Sequence, residues 1–536
     1  MTTDNQIAAL AAWRDLLGAT RVLDAGQAEL HYGADTNGIT RSLLGALCLD
    51  EESKAALPEL MRIAQRFGVP VYPISTGHNW GYGTAMPVRK DCVILDLSGM
   101  CKILHLDPEL GVVTLEPGVT QGQLAAYLER EGLPFMVPTT GGGESCSLLG
   151  NALERGYGVT PHTDHFAAVT DLEAVLADGS RYRTALREAG GEELARLFKN
   201  GIGPYSAGLF TQSGFGIVTR MSIILARRPE CVKVCLFSLK DDALLEPAIE
   251  RIRSILGKLP GTVGGINLMN RHRVLAMSAP YPADRVGSDG LIPQAVIDEM
   301  GRQYQILPWT GFATLYGTPR MVKAAQREIR ATLAGVASRL LFLSPNGARN
   351  LAKAAALLPG AAGRRLASTA GTLAKSLDLI AGRPNATALP LAYWRNPRPP
   401  QHDTLDPARD GCGLIWYAPL VPMRPTTARA YAKLVASITS QYGIEPLITF
   451  TSISDRLFDS TVPLIFDRAD PEAAAAAATC YRKLFDAGRE LGVFPYRVGV
   501  ASMDALAALQ SDSLAFHARL RQGLDPDNLI APGRYQ

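Results

Sequence analysis

Three glycine-rich segments fall within residues 1–230, and each is too rich in glycine to act only as a connection. They are STGHNWGYG at 75–83, GGGESCSLLGNALERGYG at 141–158 and GPYSAGLFTQSGFGIVT at 203–219. Glycine permits left-handed backbone and a close approach of successive amides to a ligand, which suits the negative oxygens of a pyrophosphate. The first segment is neither GxGxxG nor a P-loop. Three such segments in one region predict an extended ligand held along the backbone.

The intervening patterns alternate between helix and strand. EESKAALPELMRIAQRFG has helical spacing, whereas VPVYPIS, DCVILDLSGM and GVVTLEPGV are typical of strands. FAAVTDLEAVLADGSRYRT predicts two strands joined by an Asp-Gly turn. After RRPE at 227–230, strand and helix units continue to about residue 490, and the stretch 346–387 predicts two helices broken at Pro359. The sequence therefore predicts an α+β protein with a domain boundary near residue 230.

Composition favours a small-molecule partner over a polymer. Charged residues make up 20% of the 536 residues and the net charge is only +3, so nucleic-acid binding is not expected. The N-terminal stretch carries Asp4, Arg14 and Asp15, which exclude a signal peptide or membrane span there, so a cytoplasmic location without membrane contact is predicted. The eight cysteines lack metal-site spacing, and we expect reduced thiols and no metal.

Five stretches, in order and over nearly the whole chain, together resemble the FAD-dependent vanillyl-alcohol oxidase and p-cresol methylhydroxylase family. They are STGHNWGYG, LLGNALERGYG, GPYSAGLFTQSGFGIVT, LAYWRNP and LDPDNLIAPGRY. The resemblance implies a two-lobed PCMH-type FAD-binding domain, built from residues 1–230 and completed by 491–536. It implies an inserted α+β cap domain at 231–490, over the flavin. We also expect a homo-oligomer, a dimer, with O₂ or a cytochrome as electron acceptor.

The resemblance also implies which residues bind FAD. They are Ser75, Thr76, Gly77, His78, Asn79, Gly81, Gly83, Cys146, Gly150, Asn151, Glu154, Gly156, Gly216, Ile217, Val218 and Arg534. His78 stands where the nearest relatives have arginine, and Gly413 stands where a cap histidine would attach the flavin. In the wider superfamily a histidine in this loop is commonly bonded to the flavin 8α-methyl group, so we expect a covalent link at His78. The alternative is a histidine that only donates or accepts a hydrogen bond. Cys146 is a candidate for a second link, against an ordinary buried thiol.

A tyrosine and an arginine in VFPYRVGV suggest the substrate. By themselves Tyr496 and Arg497 read as a strand edge with a solvated arginine, but in vanillyl-alcohol oxidase relatives such a pair clamps a phenolic oxygen together with the tyrosine of the first loop, here Tyr82. A guanidinium and two O–H donors favour the phenolate. The resemblance therefore implies hydride transfer from the benzylic carbon of a para-substituted phenol to flavin N5, through a quinone methide.

The acids that the family places beside the flavin are not evident. Pro138-Thr139 stands where oxidases have an aspartate, and Thr449 stands where the hydroxylases have a cap glutamate. Glu144 is the nearest substitute as a catalytic residue, or else a solvated side chain. Two other functions stay open: an FAD-dependent alcohol or sugar oxidase with His-linked flavin, and a flavin-bearing electron-transfer subunit that has lost its substrate chemistry.

Overall fold

A computed structural model describes residues 4–39, 41–357, 360–398, 400 and 404–536. Its strands are β1 (Val22–Leu23), β2 (Ala46–Asp50), β3 (Val71–Ile74), β4 (Val93–Gly99), β5 (Ile103–Asp107), β6 (Val112–Leu115), β7 (Phe135–Met136), β8 (Val169–Val175), β9 (Arg181–Arg183), β10 (Ile217–Ile224), β11 (Ala226–Arg227), β12 (Cys231–Leu239), β13 (Val263–Asn270), β14 (Trp309–Gly317), β15 (Arg339–Leu343), β16 (Cys412–Tyr417), β17 (Pro419–Pro422), β18 (Thr449–Ser452), β19 (Leu457–Asp467) and β20 (Phe494–Pro495). Its helices are α1 (Asp4–Leu17), α2 (Ala25–Tyr32), α3 (Leu57–Phe67), α4 (Gln121–Arg130), α5 (Leu148–Leu153), α6 (Ala185–Glu188), α7 (Glu192–Leu197), α8 (Leu245–Lys258), α9 (Arg271–Ser278), α10 (Gln294–Gln303), α11 (Pro319–Leu333), α12 (Pro345–Ala356), α13 (Gly360–Ile380), α14 (Pro425–Ser440), α15 (Pro471–Leu491), α16 (Met503–Ala507) and α17 (Asp512–Leu524).

The first sheet has the strand order β1-β2-β4-β3, and β2, β4 and β3 are parallel. The helix α3 has a buried apolar face that includes Leu57 and Leu60, and it ends at Gly68 in the left-handed conformation. The helix and strands predicted in this part of the sequence are confirmed. The first glycine-rich segment follows β3 directly, at the carboxyl edge of these parallel strands, where open α/β sheets bind ligands.

The second sheet is antiparallel, with the order β5-β6-β10-β8-β9. Val175 in β8 pairs with Arg181 in β9, and Gly179 between them has a φ of +80°, so the predicted hairpin is confirmed. The second glycine-rich segment includes α5, which begins at the Ser147 cap, where the side chain accepts a hydrogen bond from the Gly150 amide. The third segment leads into β10. All three segments are therefore tied to strands or helices of one lobe.

The third sheet has the order β15-β12-β14-β13-β18-β19-β17-β20, with β16 paired to β19. The first strand of this sheet in sequence order, β12, begins at Cys231. This change of sheet supports the proposed domain boundary near residue 230. After β20 the chain returns to the first sheet, because the Val71 amide donates to Leu529 and the Ala531 amide donates to Val71. Residues near the C-terminal end of the sequence thus lie beside β3 of the first sheet.

Helices α12 and α13 contact each other as the predicted helical pair, and Pro359 lies outside the described residues. The eight cysteines are all free thiols. Within the described residues, no helix has the length and apolar character needed to cross a membrane. The same residues contain no cluster of three or more His, Cys, Asp or Glu side chains that could hold a metal ion.

Candidate active site

A cavity of about 500 Å³ brings the three glycine-rich segments together with the third sheet and the C-terminal residues. One wall is formed by the loop after β3, and a second by the segment around α5. The third sheet contributes a row of side chains from neighbouring strands, because Asn267 in β13 pairs with Thr451 in β18, which pairs with Asp459 in β19. All three of these residues line the cavity.

The loop after β3 has the features of an anion-binding nest. Gly77 has a φ of +70°, and the backbone amides of Gly77, His78 and Asn79 donate no hydrogen bond to any residue that the structure describes. Three successive unpaired N–H groups along the cavity suit the oxygens of a pyrophosphate. A Cβ atom at Gly150 would lie 3.1 Å from the Ser75 hydroxyl, so the two loops approach closely there. The backbone of the loop after β3 is therefore suited to bind the pyrophosphate of FAD.

Most of the predicted cofactor-binding residues line the cavity. They are Ser75, Thr76, Gly77, His78, Asn79, Cys146, Gly150, Asn151, Glu154, Gly156, Gly216, Ile217, Val218 and Arg534. The other two, Gly81 and Gly83, do not line the cavity, and in the structure each lies against a protein side chain instead. A Cβ atom at Gly81 would lie 2.2 Å from the Trp416 ring, and one at Gly83 would lie 2.5 Å from Val500. These two glycines make room for protein side chains.

His78 is held in a defined orientation. Its ring stacks on Trp80 with a centroid distance of 4.7 Å and an interplanar angle of 17°, and its Nδ1 lies 3.1 Å from the Ser145 hydroxyl. Burial lowers the pKa of His78, although the charge of Asp406 opposes this. The imidazole is therefore kept neutral at the cavity wall, which is the form that can bond the flavin. The bond itself stays a prediction.

Two further predicted residues on the second segment differ in position. The Cys146 thiol lines the cavity and donates to the Gly142 carbonyl at 3.0 Å, and burial raises its pKa to about 12. A thiolate is disfavoured there, which weakens but does not test the second covalent link. Glu144 is exposed and is not among the cavity-lining residues. The structure therefore does not bring Glu144 to the cavity, and a catalytic role for it stays without support.

Tyr82, Tyr496 and Arg497, the residues predicted to clamp a phenolic oxygen, all line the cavity, and the role itself stays a prediction. The guanidinium carbon of Arg497 lies 4.1 Å from the centroid of the Tyr82 ring. Arg497 is not a solvated strand-edge residue, since its side chain is only 11% exposed, its Nη2 donates to Asn79, and its Nε lies 3.3 Å from Glu154. Burial raises the pKa of both tyrosines, so their hydroxyls stay protonated and can donate.

Glu154 joins two arginines across the cavity wall. Its second oxygen accepts from Arg534, whose Nη1 donates to the Tyr72 hydroxyl at 2.7 Å. Arg534 therefore has an acidic partner, as Arg497 does. This network fixes the guanidinium of Arg497 without using all of its N–H donors.

The sequence prediction missed a buried acid of the cavity, Asp459. Its side chain lines the cavity, is only 4% exposed, and has an Oδ1 atom without a hydrogen-bond partner among the described residues. Burial raises the pKa of Asp459 to about 7, and the charge of Arg497 opposes the shift. The only sequence signal is an aspartate at the third position of a long, mostly apolar strand, β19, whose sequence is LFDSTVPLIFD. A carboxyl with this pKa can accept or return a proton near neutral pH.

The two positions suspected of having lost an acid are occupied by threonines with protein partners. Thr139 donates to the Leu379 carbonyl at 2.8 Å. Thr449 accepts from Nε of Arg273 at 3.1 Å, and Arg273 also lines the cavity. Arg273 is the second functional candidate that the sequence prediction missed, because it follows a strand in a run, NRHRV, that reads as solvated.

The comparisons with known proteins agree with this geometry. The model of the FAD_binding_4 family, described as an FAD binding domain, matches residues 50–185. The chain is 34% identical to the 1'-carboxy-chondrochloren decarboxylase of Chondromyces crocatus, over 100% of this chain and 98% of that protein. It is 28% identical to the 4-cresol dehydrogenase [hydroxylating] flavoprotein subunit of Pseudomonas putida, over 89% of this protein and 84% of that one.

A crystal structure of p-cresol methylhydroxylase with substrate bound is similar over 100% of this chain and 97% of that chain, with a TM-score of 0.87 and 25% identity. The predicted fold class, a PCMH-type FAD-binding domain with an α+β cap, is confirmed. The protein is an FAD-dependent oxidoreductase. The chain belongs to the vanillyl-alcohol oxidase and p-cresol methylhydroxylase family.

Proposed function

We propose that this enzyme oxidises a para-substituted phenol at its benzylic carbon. The observation that carries the proposal is the arrangement of Tyr82, Tyr496 and Arg497 on one cavity with the buried carboxyl of Asp459. Two hydroxyl donors and a fixed guanidinium are suited to a phenolate oxygen, which an alcohol or a sugar does not provide. The 4-cresol dehydrogenase and p-cresol methylhydroxylase names of two similar proteins agree with a phenolic substrate.

In the proposed reaction the protein's own groups first ionise the substrate. A phenol with a pKa near 10 loses its proton to Asp459, and Arg497 then stabilises the phenolate while the tyrosine hydroxyls orient it. FAD, when held by the glycine-rich loops, would supply the acceptor for the hydride that leaves the benzylic carbon. The oxidised substrate is a quinone methide, and addition of water or loss of a group from the para substituent restores the aromatic ring.

The mode of FAD attachment is part of the proposal. The neutral imidazole of His78, held between Trp80 and Ser145, supports a covalent bond to the flavin. A rigid loop of this kind holds the reacting nitrogen in one place, which favours bond formation. The acceptor, O₂ or a cytochrome, and the dimer and cytoplasmic location stay predictions, as does a second link at Cys146.

An anaerobic flavin-reduction assay tests the proposal. We expect 4-ethylphenol to bleach the flavin absorbance, while its O-methyl ether, which cannot ionise, leaves the absorbance unchanged. Equal bleaching by phenol and ether would contradict the phenolate step. Bleaching by an aldose but by no phenol would favour the sugar-oxidase alternative, and bleaching by neither class would favour the electron-transfer alternative.

A further inference from the structure

Arg273 lines the active-site cavity, is half-buried, and has no acidic partner among the residues that the structure describes. It lies in α9, where the Asn270 cap accepts from its backbone amide at 3.0 Å. Its Nε donates to Thr449, its guanidinium carbon lies 5.8 Å from the Trp416 ring centroid, and its Nη1 has no hydrogen-bond partner among the described residues. Burial lowers its pKa to about 9, so it is still charged at neutral pH.

Such a charge is costly to bury unless a counter-charge meets it. Burying an unpaired ammonium or guanidinium group is unfavourable, and proteins normally supply a carboxylate partner. The protein does this elsewhere in the same cavity, since Glu154 pairs with both Arg497 and Arg534. Within the described residues no Asp or Glu forms an ion pair with Arg273. Its unpartnered Nη1 is therefore available to a ligand that brings its own negative charge.

We propose that Arg273 binds a carboxylate on the para substituent of the substrate, and that the substrates are 3-(4-hydroxyphenyl)propanoates. The proposal rests on the phenol oxidation described above. Arg497 and the tyrosines hold the phenolic end, and Arg273, in the helix that directly follows β13, holds the carboxylate end. Guanidinium is the side-chain group best suited to a carboxylate, through charge-assisted hydrogen bonds.

A carboxylate in this position also determines the product. After hydride leaves the benzylic carbon, the quinone methide accepts electrons from the adjacent carbon. The bond between that carbon and the carboxylate breaks, its electron pair forms a carbon–carbon double bond in the para substituent, and CO₂ leaves. The ring regains its aromatic electrons as a phenolate, which recovers from Asp459 the proton it lost. The substrate anion thus yields 4-vinylphenol, CO₂ and a hydride, for which FAD held at this site would be the acceptor. The decarboxylase name of the relative from Chondromyces crocatus agrees with this outcome.

The test compares two substrates that differ only in the acid, 3-(4-hydroxyphenyl)propanoate and its methyl ester. In the wild-type holoenzyme we expect the acid to reduce the flavin with an apparent second-order rate constant about 10- to 100-fold above that of the ester, as expected for one hydrogen bond to a charged group. The acid should yield 4-vinylphenol and one CO₂ for each flavin reduced. Equal rate constants for acid and ester, or a hydroxylated product without CO₂, would overturn the proposal.

Variants separate this binding role from a structural one. Arg273→Gln should lower the ratio of the acid rate constant to the ester rate constant from about 10- to 100-fold to about 1, and Arg273→Lys should restore part of that ratio. Arg271→Gln is the matched control, since Arg271 lies in the same helix and pairs with Asp298. Flavin content and melting temperature report folding. An Arg273→Gln variant that keeps the preference for the acid would overturn the proposal, whereas a wild-type enzyme reduced by no phenol would refute the phenol oxidation itself.

Discussion

Replacing Asp459 by asparagine should remove the pH dependence of flavin reduction near neutrality. Asp459 lines the cavity beside Arg497, and burial raises the pKa of its carboxyl from 3.8 to about 7. It is proposed to accept the phenol's proton, which it can do only when ionised. A group with a pKa of about 7 is about one-tenth ionised at pH 6 and about nine-tenths ionised at pH 8. The wild-type rate should therefore rise about tenfold between these pH values.

The assay is anaerobic stopped-flow reduction of the flavin by saturating 4-ethylphenol from pH 5.5 to pH 9. The variant Asp459→Asn cannot accept a proton, and a lost general base typically lowers the rate by about 10²- to 10⁴-fold. Its remaining rate should be flat across this range. The matched control is Asp467→Asn, because Asp467 ends the same strand but pairs with Arg398 away from the cavity.

The raised pKa of Asp459 also predicts how the stability of the folded protein depends on pH. The folded protein holds the Asp459 proton up to about pH 7, whereas the unfolded protein releases it near pH 4. The wild type therefore loses stability as pH rises through this interval, and Asp459→Asn does not. At pH 8 the variant should melt no lower than wild type, so that a loss of rate cannot be assigned to unfolding. A wild-type profile without a step, or a variant that keeps the step, would refute the reasoning.

Three other changes have expected results. Tyr496→Phe removes one donor to the phenolate and should lower the flavin-reduction rate by about 10²- to 10³-fold, measured with 4-ethylphenol; an unchanged rate would contradict the clamp. After acid precipitation, wild-type protein should stay yellow in the pellet and His78→Ala should release its flavin; colour retained in the variant would move the bond elsewhere. Gly81→Ala should lower the free energy of unfolding by about 1 to 3 kcal/mol more than Gly68→Ala, as measured by urea unfolding. Both glycines have a positive φ, but only Gly81 lies against the Trp416 ring. Equal losses of stability would show that the Trp416 ring moves to accommodate the added methyl group.

Much of the site could be predicted because its signals are local in sequence. The glycine-rich loop after β3 and the Tyr496-Arg497 pair each carry their chemistry within a few residues, and the structure brings them to one cavity. The helix and strand pattern around them is equally local. Such a motif can be recognised from sequence without knowing which distant residues it contacts.

The remainder depends on contacts between distant parts of the sequence. The sequence predicted Gly81 to be a cofactor contact. In the structure, Trp416, far along the sequence, occupies the space that a side chain at Gly81 would need. Asp459 and Arg273 each look ordinary in sequence, since an isolated acid or base is more often solvated. Only the pairing of β13, β18 and β19 brings Asp459 to the cavity, and only the fold brings Arg273 there with Thr449 and with no acidic partner among the described residues.

The most direct test of the central claim is the rate of anaerobic flavin reduction by 4-ethylphenol carrying deuterium at its benzylic carbon. If hydride leaves that carbon from a phenolate held by Arg497, the flavin should bleach measurably more slowly with the deuterated compound than with the ordinary one. Deuterium on the aromatic ring should have no such effect. Equal bleaching rates for the benzylic pair in single turnovers, or no bleaching with either compound, would contradict the proposed oxidation.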